Sequence, residues 1–246
     1  MCYHAKIPDG ALLQNSVFGK DYEIIGEYDR YYHANAYDHP ILPVITNLEP
    51  RMIQPAEWGL VPYKNMYEAK ARETQKFTVN AVGEELFEKK SYKELVGVQR
   101  CVIIVEGFYE WMHVGQGKTA VKYPFYIHPA DDDFFYIGGI WNDWRNANTG
   151  ETKISAVLIT SGANPLMEKI HNTKKRMPFI LEKSQISAWL SPDLNQGQVT
   201  AMIRPFDESK MKAHSISRKF NYFQKETTNI PEICDFVDYP ELQMLL

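Results

Sequence analysis

The chain has 246 residues, 44% hydrophobic and 13% aromatic, enough apolar material for one sizeable core and too ordinary for a disordered or fibrous class. A formal net charge of −4 argues against indiscriminate coating of nucleic acid while leaving room for a local basic groove. No run approaches the ~18 apolar residues of a membrane helix, and Met1-Cys2-Tyr3-His4-Ala5-Lys6 lacks the apolar stretch of a signal peptide. A soluble, cytoplasmic protein without a membrane partner is expected. Cys2, Cys101 and Cys234 are odd in number and widely spaced, with no CxxC pair, which supports neither a disulfide framework nor a zinc site.

Taken in chain order, the first basic stretch is Lys64, Lys70, Arg72 and Lys76, and the residues around Met66–Arg72 have a helical reading. Strand-length apolar runs follow at Cys101–Val105, Pro124–His128, Phe134–Trp141 and Ser155–Thr160, rich in β-branched and aromatic residues. Gly115-Gln116-Gly117 reads as a hairpin turn, which sets Glu110 at the far end of a strand close to that turn. Asn164-Pro165 is an N-cap and first-turn pair, so a helix runs through Leu166–Ile170 and delivers His171 at its C-terminal end. A second helix begins near Ser184, carries Ile186 and Trp189, and stops before Pro192. Strands and helices do not alternate regularly, so the fold expected is α+β and mainly antiparallel, not a doubly wound parallel sheet. No repeat or Gly/Ser linker divides residues 1–246, which are read as a single domain with a peripheral tail from about residue 222.

Position 2 is chemically distinctive. Aminopeptidases remove an initiator Met before a small residue such as Cys. The product carries an α-amine (pKa about 7.7–8.0) and a thiol (about 8.5) on one residue, both partly nucleophilic near neutrality. The amine condenses with an aldehyde to an imine and the thiol then closes a thiazolidine; an internal cysteine, its nitrogen tied up in an amide, does neither. Position alone is weak evidence, since some residue must stand there. Cys101 and Cys234 read as small buried hydrophobes. Glu110, in Glu106-Gly107-Phe108-Tyr109-Glu110-Trp111, is a candidate acid–base whose pKa rises if it is buried among those aromatics; a surface Glu is the alternative. His171, followed by Asn172 and by Lys174-Lys175-Arg176, is the best placed of the seven histidines, as proton-transfer group or simply as a helix C-cap. His33 and His39 are not at metal-ligand spacing, and neither a metal nor a cofactor is assigned.

Six blocks in order carry a family resemblance: Met1-Cys2; Tyr32-His33-Ala34-Asn35-Ala36 followed by Pro40 through Ile45; Glu57-Trp58-Gly59-Leu60-Val61-Pro62; Val79-Asn80-Ala81 with Glu84; Arg100-Cys101 through Gly107-Phe108-Tyr109-Glu110-Trp111; and Ile170-His171 with Arg176 through Leu181. With these the chain resembles the SOS-response-associated peptidase (SRAP) family of abasic-site processing proteins. The resemblance implies a barrel-like β core with peripheral short helices. It implies that Cys2 cross-links to the abasic deoxyribose of single-stranded DNA, that Asn80 orients the Cys2 amine, that Glu110 is the acid–base and that His171 stabilises the ring-opened sugar. Trp58 and Trp111 fall in blocks that line the family's DNA cleft, and a base stacked on an aromatic is worth about 1–3 kcal/mol whatever the sequence. Arg72, Lys174, Lys175 and Arg176 are the expected phosphate contacts of a monomeric protein that joins the nucleoid when bound to DNA.

Self-processing at Met1 and a lyase-type reaction belong to the same implied chemistry. Three positions depart from the family pattern: Val82 stands where an Arg follows Asn-Ala, Tyr3-His4 replaces Gly-Arg, and four residues separate His171 from Arg176. Two other functions stay open, an N-terminal-nucleophile cysteine peptidase acting on proteins and a non-covalent single-stranded DNA-binding module.

Overall fold

A computed structural model describes residues 2–115, 117–220 and 228–242. Met1, whose removal the Cys2 chemistry requires, lies outside the described residues, as do Gln116 of the expected hairpin turn and residues 221–227 and 243–246 of the expected tail.

The strands, in chain order, are β1 (His4–Ile7), β2 (Glu23–Ile24), β3 (Tyr31–Asn35), β4 (Ile41–Thr46), β5 (Met52–Trp58), β6 (Asn65–Met66), β7 (Asn80–Val82), β8 (Arg100–Val105), β9 (Gly107–Val114), β10 (Val121–Pro129), β11 (Phe135–Asn146), β12 (Thr152–Gly162), β13 (Arg176–Pro178), β14 (Ile180–Leu181) and β15 (Met211–Ser215). The α-helices are short: α1 (Gly10–Asn15), α2 (Glu68–Gln75), α3 (Pro165–Ile170), α4 (Ile186–Trp189) and α5 (Gln196–Met202). Each apolar run singled out in the sequence is a strand or lies almost wholly within one. Asn164 caps α3 as its side chain predicts, with Oδ1 accepting from Met167 N at 2.8 Å. The helix near Ser184 is shorter than expected, a 3-10 turn over Lys183–Gln185 leading into α4.

β12, β11, β8, β4 and β5 are neighbours in that order, and β5 pairs back onto β12, so these five strands close a barrel. Successive pairs around it are antiparallel. With an odd number of strands that alternation cannot close on itself, and the sealing pair, Ser155 with Glu57 and Ala156 with Trp58, is parallel. A second sheet runs β15-β10-β9-β1-β3. The fold is α+β and mainly antiparallel, with a barrel core.

Period-2 alternation distributes β8 between two cores. Cys101, Ile103 and Val105 pack in a cluster with Ala5, Ile7, Phe108, Phe125 and Ile127 of the second sheet, while Val102 and Ile104 join a cluster that holds Leu13 of α1, Trp189 of α4 and Val199 of α5. Burial on both faces explains why the run reads as continuously apolar. The C-terminal segment is docked rather than loose: Asn229 Oδ1 accepts from Tyr32 N and His33 N, and Val237 N donates to Ser215 O at 2.9 Å.

One buried charge staples the barrel to its flanking helix. Arg100 is fully buried and donates to the carbonyls of Val96, Gly97, Trp189 and Ser191. Removing it leaves these acceptors without their charged donor, so Arg100→Met should lower unfolding free energy by roughly 3 kcal/mol or more, measured by urea denaturation; a loss under about 1 kcal/mol would remove the staple from the account.

Candidate functional site

β1 pairs with β9 antiparallel, Ala5 opposite Phe108 and Lys6 opposite Gly107. That register carries the start of the chain alongside the middle of β9. Glu110 lies there, in the interior of an eight-residue strand and paired with Phe125 of β10; the expectation that it sits at a strand end is corrected, because β9 continues past Trp111 to Val114. Cys2 is buried in the core shared by the two sheets, and its thiol donates to His4 O at 3.6 Å. Burial, reinforced by the nearby Glu110 carboxylate, holds that thiol well above its ordinary range.

His171 is the C-cap of α3. The residue after it clamps the helix end to β9: Asn172 Oδ1 accepts from His113 N at 3.1 Å and its Nδ2 donates to His113 O at 2.8 Å. The long spacing to Arg176 closes into a turn, with Lys175 N donating to His171 O at 2.9 Å and Lys175 in the left-handed region at φ 50°. The turn returns Arg176 O to 2.8 Å from His171 Nδ1. A carbonyl only accepts, so Nδ1 carries the proton and the lone pair of the neutral ring is on Nε2. Nε2 stands 3.8 Å from Glu110 Oε2, close enough to couple their charges and longer than a hydrogen bond.

Burial moves these two groups in opposite directions. Glu110 is pushed up to about 8 and His171 down to about 4, each because the low-dielectric surroundings penalise its charged form. Between those values the pair is a neutral carboxylic acid facing a neutral imidazole. Asn80, on β7, completes the sequence-derived set differently. No hydrogen bond among the described residues ties its side chain to the other three, and both amide atoms are excluded from solvent without a partner, an arrangement that costs about 1–3 kcal/mol and leaves a donor and an acceptor available.

Glu110 and His171 form part of the wall of a pocket of about 490 Å³ that Trp111 and Lys174 also line. The remaining expected DNA contacts lie elsewhere or are engaged within the protein. Trp58 is 0% exposed and its indole N–H donates to Val79 O at 2.9 Å. It is a core residue and offers no face to a base, which corrects the expectation of a stacking platform there. Arg72 is held by both oxygens of Glu57 and by Glu68. Arg176 is bidentate on Glu84, and Lys175 pairs with Glu168. Lys174 alone of that group lines the pocket, joined by Lys122, and both are exposed without an ion pair among the described residues. Sequence reading missed Lys122, Tyr3 and Tyr37, all pocket-lining; no local pattern marks them, because they meet only through the β1–β9–β10 pairing and the turn after β3.

A buried cysteine at position 2 near a proton-holding carboxyl and a neutral histidine, carried by the second sheet and the end of α3 against a closed five-stranded barrel, sets the class of site, and comparison with known proteins identifies the family. The family model described as SOS response associated peptidase (SRAP) matches residues 12–223, and the chain belongs to that family. It is 30% identical over 211 residues to a Bacillus subtilis protein named abasic site processing protein YoqW, covering 85% of this chain and 88% of that one. It is 28% identical over 198 residues to the Gallus gallus abasic site processing protein HMCES, covering 72% of this chain and 56% of that one. The crystal structure of a Bacteroides thetaiotaomicron protein superposes with a TM-score of 0.83 at 32% identity, covering 96% of this chain and 100% of that one.

The opposed shifts predict the shape of the stability profile. Glu110 keeps in the folded state a proton that the unfolded chain, with an ordinary value of 4.5, gives up, so stability falls as pH rises from about 4.5 to about 8. His171 does the reverse, losing stability as pH falls from 6.5 to about 4, and His4 and His33, depressed by burial to about 3 and about 4, add to that acid limb. Chemical denaturation across pH should show Glu110→Gln flattening the alkaline limb while leaving the acid limb in place. An alkaline limb identical in the two proteins would contradict the burial assignment.

Proposed function

We propose that this protein processes abasic sites in single-stranded DNA, capturing the ring-opened deoxyribose covalently through Cys2 once Met1 has been removed. The observation that carries the reading is the buried Glu110 carboxyl 3.8 Å from His171 Nε2, with the buried Cys2 close enough for their charges to couple. The names of the relatives agree with it.

The residues divide the chemistry as follows. Opening the hemiacetal needs a proton at the ring oxygen, supplied by Glu110, and an acceptor for the anomeric hydroxyl, supplied by His171 Nε2. His171 then returns its proton to the Glu110 carboxylate. The Cys2 amine, held by Asn80 Oδ1, adds to the aldehyde carbon as its surplus proton moves to the carbonyl oxygen. The proton back on Glu110 lets that oxygen leave as water while the nitrogen lone pair forms the C=N bond of an iminium. The Cys2 sulfur then bonds to the same carbon as the thiol proton passes to the Glu110 carboxylate and the π pair of the iminium moves to nitrogen, which is left as a neutral ring N–H. The five-membered ring contains N, Cα, Cβ and S of Cys2 and the sugar carbon. Lys122 and Lys174 bind the flanking phosphates. The run in reverse releases the sugar, and the imine stage is the one from which a lyase-type elimination departs.

The raised thiol favours this order over a cysteine peptidase working in turnover. A peptidase nucleophile needs a thiolate stabilised near neutrality, whereas here burial disfavours it. An amine-first reaction uses the thiol only after the carbon has been made electrophilic.

Mixing the Met1-free protein with single-stranded DNA bearing an abasic site should give an adduct that survives denaturation, read by gel and intact mass. Cys2→Ala should give none, and Cys2→Ser none that persists, because an oxazolidine opens readily; an unchanged adduct in Cys2→Ala would sink the reading. The cross-linking rate requires Glu110 protonated and the amine unprotonated, so it should peak near pH 8 and fall on both sides. Glu110→Gln should slow it by about 10²–10⁴. Lys122→Ala and Lys174→Ala should each weaken binding and reduce the salt slope by about one, while Arg72→Ala leaves that slope unchanged.

A further inference from the structure

An abasic sugar has no base to be gripped by, so a protein that seats one must read its neighbours. The pocket wall contains two aromatic rings that the chemistry above does not use. Tyr3 and Tyr37 line it, stacked at 5.4 Å between centroids with planes 25° apart, within the range of offset aromatic pairs.

Backbone geometry fixes the pair in advance. Tyr3 is the residue after Cys2 and immediately precedes β1, whose His4 is paired with Asn35. Ala36 N donates to Tyr3 O at 2.8 Å, and Asn35 Oδ1 accepts from Tyr37 N at 3.1 Å, so the turn that presents Tyr37 is tied both to the strand before it and to Tyr3. Tyr37 is nevertheless 49% exposed. A half-exposed ring, stacked on one already held in place, is a platform whose ordering cost is met before any ligand arrives. The centroid separation is too short to admit a third ring between the two, so a ligand stacks on the outside of the pair. Lys122 and Lys174 on the same pocket suit the phosphates on either side of such a ligand.

We propose that the Tyr3–Tyr37 pair is the stacking platform for the nucleobase next to the abasic sugar, and that it positions the sugar over Cys2. The inference rests on the abasic-site reading. It gives Tyr37 the part of a positioning residue, acting through the neighbouring base and not on the reacting carbon.

The test separates stacking from capture. Cys2→Ala protein, which cannot cross-link, is titrated with two fluorescent single strands: one with an abasic analogue flanked by bases, the other with the flanking bases also replaced by abasic analogues. The Cys2→Ala background should prefer the base-flanked strand by about 10-fold in Kd, the scale of one base stacked on an aromatic. Adding Tyr37→Leu should bring the ratio close to one, and Tyr37→Phe should keep it. A ratio near one in the Cys2→Ala background, or a ratio that survives Tyr37→Leu, overturns the platform. The covalent reading is checked independently by intact mass of Met1-free wild-type protein with deoxyribose 5-phosphate, where a mass gain of the sugar less one water is expected. Absence of that gain overturns capture and leaves the stacking ratio to be judged by its own titration.

Discussion

The arrangement depends on one strand pairing. Because Ala5 lies opposite Phe108 and Lys6 opposite Gly107, the start of the chain is carried alongside Glu110. β9 is itself pinned on its other side by seven register pairs with β10, so Glu110 cannot drift. An N-terminal residue is ordinarily the least ordered part of a chain. Here Cys2, the second residue, is buried in the core shared by both sheets with Phe108, Phe125 and Ile127, and ordering it is offset by the apolar surface that this core buries. A slip of one residue would turn every side chain of β1 to the opposite face and separate Cys2 from its carboxyl.

Burial is the largest influence on the protonation states of the site. Glu110 and His171 are moved apart by the same cause, desolvation, acting on groups of opposite charge type. The result is an acid that keeps its proton at neutral pH beside a base that has not taken one. The fixed Nδ1–H on Arg176 O decides which imidazole nitrogen faces the carboxyl, and the Asn172 clamp on His113 decides where that nitrogen stands. These backbone contacts explain how a four-residue spacing between His171 and Arg176 is accommodated: the extra length forms the turn that orients the ring.

Charge is distributed unevenly between structure and surface. Arg72 and Arg176 look in sequence like phosphate ligands, yet both are bidentate on carboxylates, Arg72 joining α2 to β5 and Arg176 joining β13 to the turn after β7. Lys122 and Lys174 remain for the pocket. With a net charge of −4, a small cationic rim on an otherwise acidic molecule favours local contact over coating of undamaged strands.

Elements whose information is local were legible in the residues alone. The strand runs, the Asn164 cap that starts α3, and the placing of His171 at the end of that helix all follow from propensity and capping, which act over a few residues. Block order carried the family, and with it Cys2, Glu110, His171 and Asn80 as the residues to examine. What no local pattern held was which side chains meet. Trp58 reads as a surface aromatic and is core, because the parallel seam between β5 and β12 closes the barrel over it. Glu110 reads as a strand-end residue, and the continuation of β9 makes it a buried one. Lys122 and the Tyr3–Tyr37 pair come from distant segments that only strand pairing and one turn bring together. Burial and pairing are properties of the closed sheet, and they alone decided which groups are desolvated, which charges are spent and which rings face the pocket.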